Sequence, residues 1–119
     1  MIIELLDLGK GVKGSVFVKL PTNGQRQKLM NKYGIDLIEL GEKYKEDEKS
    51  TTKYMQSVLG LMLDDLGEFC DKISIEFNGS KITSYEEINY IPNLIAVQYK
   101  IATTVLFGSQ EILSKKKKS

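Results

Sequence analysis

The chain has 119 residues, of which 41% are hydrophobic and 28% charged, values typical of one globular domain. It contains no histidine and one cysteine, which excludes an intramolecular disulfide, a cysteine-histidine zinc site and proton transfer by histidine. The net charge is +1, but without the four lysines at 115–118 the body has 13 positive against 16 negative charges, which argues against a basic nucleic-acid platform.

Two candidate strands open the chain, at residues 2–8 and 15–20. In the second, apolar residues alternate with other side chains, and this period of two predicts one apolar face on a sheet. The intervening GKGVKG supplies three glycines for a turn. Its likeness to a phosphate-binding loop is loose, because the spacing is wrong and no helix follows. Pro21 ends the second strand because it has no N–H to donate.

A short helix is predicted next, beginning at Thr22 or Asn23 and closed by Gly34 in the left-handed conformation. Its inner face would carry Leu29, Met30 and Tyr33. The following residues begin apolar and become the charged segment EKYKEDEK. This composition predicts a short helix or turn and then an exposed loop across 42–50.

The clearest helical pattern begins at a cap residue among Ser50, Thr51 and Thr52 and runs to about Asp71. Apolar side chains recur along it at spacings of three and four residues, which predicts one continuous stripe. The stripe consists of Met55, Leu59, Met62, Leu66, Phe69 and Ile73. The cysteine, Cys70, lies at an apolar position of this helix, and a buried, unreactive thiol is the favoured interpretation.

The period then changes from 3.6 to 2. Apolar residues alternate in KISIEF, Asn78 and Gly79 are a strong hairpin signal, and KIT begins the return strand. Ser84 followed by Glu87 is a capping box that opens a short helix, YEEINYI.

The final apolar segment covers residues 92–107. Pro92 suits the first turn of a helix and Gly108 its end, although residues 97–105 also alternate as a strand would. Length and the proline favour the helix. As a helix it is apolar on most sides, so we expect it to be central in the fold or covered by another subunit.

This excess of apolar surface predicts where a partner would bind, on the last helix and on the first. The candidate partner-binding residues are Leu94, Val97, Ile101, Val105, Leu106 and Met30. Met30, Met55 and Met62 have the flexible side chains that adaptable binding surfaces use. The alternative for all of these residues is that they fill the core.

Taken together, these elements predict an α+β fold. We expect a mostly helical single domain over residues 1–110, with an N-terminal β-hairpin and a short central β-hairpin, followed by a flexible lysine-rich tail over 111–119. The longest apolar stretch is interrupted by polar residues and no secretory signal is apparent, so we expect no membrane insertion. Four tail lysines would give only weak, salt-sensitive contact with nucleic acid, and no specific nucleic-acid partner is expected.

No motif in the sequence indicates an enzyme, a metal site or a cofactor. The acid pairs at 64–65 and 86–87 consist of adjacent residues, which diverge by about 100° on a helix and so do not converge on one substrate atom. Surface solvation or helix capping is the favoured interpretation of both pairs. A deep polar pocket with converging carboxylates would be needed to favour a small enzyme or ligand-binding domain.

Three features occur in a fixed order along most of the chain. An early strand ends in VFVKLPT before a short helix, a middle helix leads into LGEFCDKISIEFNGSKITSYEEI, and a last apolar helix precedes a lysine-rich end. In this order and in its length, the chain resembles the tail assembly chaperones of long-tailed bacteriophages.

The resemblance implies a non-catalytic protein of the host cytoplasm that self-associates and coats the phage tape measure protein while the tail tube polymerises around it. The tail tube protein is a further candidate partner. Many members of this family have a longer form made by a ribosomal frameshift, and the lysines at 115–118 fit either a slippery codon run or a plain basic tail. The alternative is a small phage or mobile-element inhibitor or adaptor that binds a host protein, which the near-neutral body disfavours.

Overall fold

The computed structural model describes residues 1–36, 38, 39, 42, 53 and 56–108. Four strands form one antiparallel sheet in the order β1-β2-β3-β4: β1 (Ile2–Leu5), β2 (Val12–Lys19), β3 (Cys70–Phe77) and β4 (Ser80–Ile82). The helices are α1 (Asn23–Tyr33), α2 (Tyr85–Tyr90) and α3 (Ile95–Phe107), with 3-10 helices at Leu63–Phe69 and Pro92–Leu94 and a helical stretch at 56–60. The predicted α+β fold, with its N-terminal and central hairpins, is confirmed.

The two hairpins belong to one sheet because β2 pairs with β3, from Val12 opposite Phe77 to Val18 opposite Cys70. This long pairing starts β2 earlier than predicted, at Val12 rather than at residue 15, while β1 ends at Leu5 rather than at residue 8. Gly14 makes the close approach of the two strands feasible. Its φ is +113°, and a Cβ there would lie 1.9 Å from the carbonyl oxygen of Ser74.

The core lies between one face of this sheet and the helical elements. Its sheet side consists of Leu5, Val16, Val18, Ile75 and Ile82. α3 packs against β2, α2 and the 3-10 helix Leu63–Phe69. Full burial of one such aliphatic side chain is worth about 1.5–3 kcal/mol, so this single core supplies most of the driving force for folding.

The predicted helix ending near Asp71 is wrong in its second half. The helical stretch ends at Gly60, the chain continues as the 3-10 helix, and β3 already begins at Cys70, so Ile73 belongs to the sheet. Tyr85 gives a physical reason: its hydroxyl donates to the carbonyl oxygen of Leu63 at 2.6 Å, an acceptor that a continued α-helix would have used internally. Of the predicted stripe, Leu59, Met62 and Leu66 are buried.

Local capping signals are confirmed. Thr22 caps α1 in a complete capping box with Gln25, and Gly34 ends that helix at a φ of +66°. Asn78 and Gly79 turn the central hairpin with positive φ angles of 53° and 78°. The chain from residue 95 to residue 107 is helical, so the strand alternative for this segment is wrong.

Several predictions fall outside the described residues. They are the loop across 42–50 apart from residue 42, the cap at 50–52, Met55, the tail at 111–119 and the lysines at 115–118.

Candidate functional site

The six residues predicted to bind a partner lie in the core. Leu94, Val97, Ile101 and Val105 are 0% exposed, Leu106 is 2% exposed and Met30 is 6% exposed. Of the two alternatives for the final helix, a central position in the fold and cover by another subunit, the structure shows the central position. Neighbouring elements of the same chain cover the side chains of this helix that were predicted to bind a partner.

The polar residues of α3 are buried with their hydrogen bonds satisfied internally. The side-chain amide of Gln98 donates to the hydroxyl of Tyr85 at 2.9 Å and to Oδ1 of Asn89 at 2.7 Å. Thr103 and Thr104 each donate a hydroxyl to the carbonyl oxygen four residues earlier, at 2.8 Å. Because each of these groups has a hydrogen-bond partner, burying α3 does not incur the free-energy cost of unsatisfied polar atoms.

Two basic side chains tie α3 to the elements around it. Arg26 of α1 donates from Nε to the carbonyl oxygen of Val105 at 2.9 Å, near the carboxyl end of α3 where a cation is favourable. Lys100 donates from Nζ to the carbonyl oxygen of Asp7 at 2.7 Å, in the connection between β1 and β2. These contacts fix α3 as an internal support rather than a binding surface.

The opposite face of the sheet is the exposed one. We call it the outer sheet face; it carries Ile2, Glu4, Lys13, Ser15, Phe17, Lys19, Lys72, Ser74, Glu76 and Lys81, all exposed or only partly buried. Ile2 is 51% exposed, and Leu6, just beyond β1, is 67% exposed. Opposite charges face each other across strands, since Glu76 pairs with Lys13 on β2 and with Lys81 on β4.

A cleft of about 420 Å³ opens beside this face, where β3 runs past the end of β4. β4 stops at Ile82 because Ser84 caps α2, and the chain turns away from the sheet. The amide of Thr83 donates to the carboxylate of Glu87 at 3.2 Å, at the start of α2. The lining residues used below are Phe17, Lys72, Ile73, Ser74 and Tyr85.

Comparison with family models, with curated proteins and with solved structures finds no match to this chain. The site must therefore be judged on its own geometry.

Neither acid pair converges on a common point. Asp64 accepts from the amide of Asn89 at 2.9 Å, whereas Asp65 binds α1 through Lys32 and Tyr33. In the other pair, the amide of Glu87 donates to the hydroxyl of Ser84 and its carboxylate accepts from the amide of Thr83, each at 3.2 Å, which confirms a capping role for Glu87 at the start of α2. Within the described ranges, no group of three acidic, cysteine or histidine residues is placed to hold a metal ion.

Asp65 is the most strongly paired carboxylate of the described chain. Lys32 lies 2.7 Å from its Oδ2, and the hydroxyl of Tyr33 donates to the same oxygen. The hydrogen bonds from Lys32 and then Tyr33 lower the pKa of Asp65, and the same contact with Asp65 raises the pKa of Lys32. Both partners are on α1, so the cluster joins that helix to the 3-10 helix and has a structural role.

The cysteine is the first residue of β3 and not part of a helix. Burial raises the pKa of the Cys70 thiol to about 12, and the sulfur lies 3.5 Å from the carbonyl oxygen of Leu66. A thiol protonated at neutral pH is a poor nucleophile, which agrees with the interpretation made from the sequence. A helix long and apolar enough to cross a bilayer does not occur in the described part of the chain.

Proposed function

We propose that this chain is a non-catalytic tail assembly chaperone that binds a phage tape measure protein in the host cytoplasm. The support comes from the order of the elements: strand pair, short helix, middle helical segment, Asn-Gly hairpin, capped helix and final apolar helix, the order on which the resemblance to that family rests. The α+β domain is compatible with that proposal, although the contact surface differs from the one that the sequence predicted.

The observation that carries the proposal is the outer sheet face. It combines the exposed Ile2 and the partly buried Phe17 with charges of both signs on one side of a sheet, and the exposed Leu6 lies just beyond β1. A tape measure protein is long and apolar in stretches, and a surface with apolar anchors and a polar rim suits transient cover of such a client. The final helix packs in the core against the inner face of the same sheet.

The proposal also includes self-association, and the tail tube protein as a further contact. Among the described residues β1 pairs with β2 alone, so its outer edge offers hydrogen-bonding groups to a second copy, and repeated copies would be needed along a long client. The lysines at 115–118 keep their two interpretations, a frameshift site or a basic tail, until the coding sequence is inspected. An overlapping downstream frame followed by a very long gene is the expected arrangement.

Co-purification tests the proposal. The chain carrying an affinity tag is co-expressed with the protein encoded by that long downstream gene, and complexes are analysed by gel filtration with light scattering. We expect a complex with several copies of the chain, weakened by Ile2→Glu on the outer sheet face. Ile95→Glu is the matched control, because Ile95 is 41% exposed on α3, away from the sheet.

The absence of a complex for the unsubstituted chain would contradict the proposal. Recovery of one defined host enzyme in a 1:1 complex would instead favour the inhibitor or adaptor function.

A further inference from the structure

We propose that the free edge of β3 beside the cleft is a strand-addition site, which takes an extended segment of a partner protein. The segment would run antiparallel to β3, in line with β4. It would place an apolar residue opposite Ile73 and an acidic residue opposite Lys72. This inference rests on the proposed protein-binding function but not on the identity of the client.

The first argument is the hydrogen-bonding pattern of β3. Phe77 and Ser80 flank the two-residue turn, so the N–H and C=O of Phe77, and by alternation those of Ile75, point towards β4. The same alternation directs the N–H and C=O of Ile73 to that edge. Among the described residues, no strand pairs with β3 on this side before Ile75, because β4 has ended at Ile82.

The chain that follows β4 does not close the gap. A continued β4 would bring Ser84 opposite Ile73, but Ser84 caps α2, and its hydroxyl accepts from the amide of Glu87 at 3.2 Å. The cleft between the diverging chains is large enough for a short extended segment. Unpaired edge groups of this kind are what strand addition uses, since main-chain hydrogen bonds supply affinity and alternate side chains supply specificity.

The second argument is charge. Glu76 of β3 has one lysine directly opposite it on β2 and another on β4. Lys72 lies four residues before Glu76, on the same face of β3. It is exposed, and Phe17 is opposite it on β2. Its other side faces the cleft, so an acidic residue there would complete a cross-strand ion pair. Asp71 is next to Lys72, where the pairing of β2 with β3 is irregular. Its negative charge would repel a second acidic residue in the bound segment.

The third argument concerns the side chain of Ile73. It belongs to the inner, apolar side of the sheet, opposite the buried Val16. Ile73 itself is only partly buried, since the position next to it on the β4 side has no strand. An apolar partner residue at that position would pack beside Ile73 on the inner face of the sheet and bury the exposed part of its side chain.

A peptide titration followed by amide NMR tests the site on the full chain. The probe is the acetylated, amidated peptide Val-Glu-Val-Thr, in which the first valine stands opposite Ile73 and the glutamate opposite Lys72, so that the probe begins beyond the pairing of Ile75 with Ile82. It is titrated to about 5 mM, which covers weak millimolar binding. We expect the amide resonances of Ile73 and its neighbours to shift with saturation.

Two changes separate strand addition from nonspecific contact. N-methylation of the first valine removes the donor that faces the carbonyl of Ile73 and should weaken binding at least about threefold. Lys72→Glu should weaken it between about two- and thirtyfold, and a probe with lysine in place of glutamate should recover binding to that variant. Lys19→Glu, the same charge change on β2 of the outer sheet face, should leave the affinity unchanged.

Saturable shifts with both effects support the proposal. No shift at Ile73, or equal affinity for the N-methylated probe, overturns it. A resonance of Ile73 that moves with protein concentration before any probe is added shows a second copy at this edge, which overturns it as well. A client complex without probe binding would leave the proposed function intact, and probe binding without a client complex would reject only the proposed function.

Discussion

Truncation of Ile101 to alanine tests whether α3 is enclosed by its own chain. Ile101→Ala removes three carbon atoms from a side chain that is 0% exposed. At about 0.8 kcal/mol for each buried carbon, the lost transfer free energy is about 2.4 kcal/mol, and the cavity left behind adds to it. The expected loss in the free energy of unfolding is therefore about 3–4 kcal/mol, a large share of the 5–15 kcal/mol typical of one domain.

Ile95→Ala is the matched control on the same helix. Ile95 is 41% exposed, so the transfer loss is about 1.4 kcal/mol, and the better helix propensity of alanine returns a few tenths of that. Both variants are measured by urea denaturation followed by circular dichroism, since the chain has no tryptophan to report by fluorescence. Equal losses for the two variants would refute the enclosed position of α3.

Three further predictions concern other parts of the fold. Gly14→Ala should cost more than about 2 kcal/mol, because its Cβ would overlap the sheet partner at a positive φ, whereas Gly60→Ala, with open space around it, should stabilise by about 0.5–1 kcal/mol in thermal melts. Gln98→Leu should cost about 1–3 kcal/mol in urea denaturation by leaving the buried hydroxyl oxygen of Tyr85 without a donor. Asp65→Asn should lower stability at pH 7, but this difference should disappear as the pH falls through the lowered pKa of Asp65, because the carboxylate is then protonated in the folded state as well as the unfolded one; a difference that persists in acid would show that the charge is not its source.

Signals that act within a few residues could be predicted from the sequence. The caps at Thr22 and Ser84, the turn at Asn78 and the helix end at Gly34 each depend on hydrogen bonds or φ angles inside one short segment. Such features are decided by the local sequence whatever lies around them. The α+β class followed from these signals and from the change of hydrophobic period.

Features set by distant residues could not be predicted in the same way. The middle helix changes to a 3-10 helix where Tyr85, from a later element, binds the carbonyl of Leu63. The joining of two hairpins into one sheet depends on the pairing of β2 with β3, far apart in the chain. Neither interaction can be predicted from the local sequence pattern.

The residues predicted to form a partner surface are buried, for a related reason. The apolar residues around α3 show how much surface must be covered, but not which elements cover it. The sheet, α2 and the 3-10 helix cover Val97 and Ile101, while Gln98 is satisfied by Tyr85 and Asn89. The outer sheet face was missed because Ile2 and Phe17 lie on separate strands, and only the pairing register places them on one side.

The most direct measurement for the proposed chaperone function is the soluble yield of the tape measure protein that the proposal expects from the long downstream gene. It is expressed alone and together with the chain, and the soluble and pelleted fractions are quantified. A protein that covers apolar stretches during assembly should shift the tape measure protein from the pellet into the soluble fraction, and Ile2→Glu should reduce that shift. An unchanged distribution between the two fractions would contradict the claim.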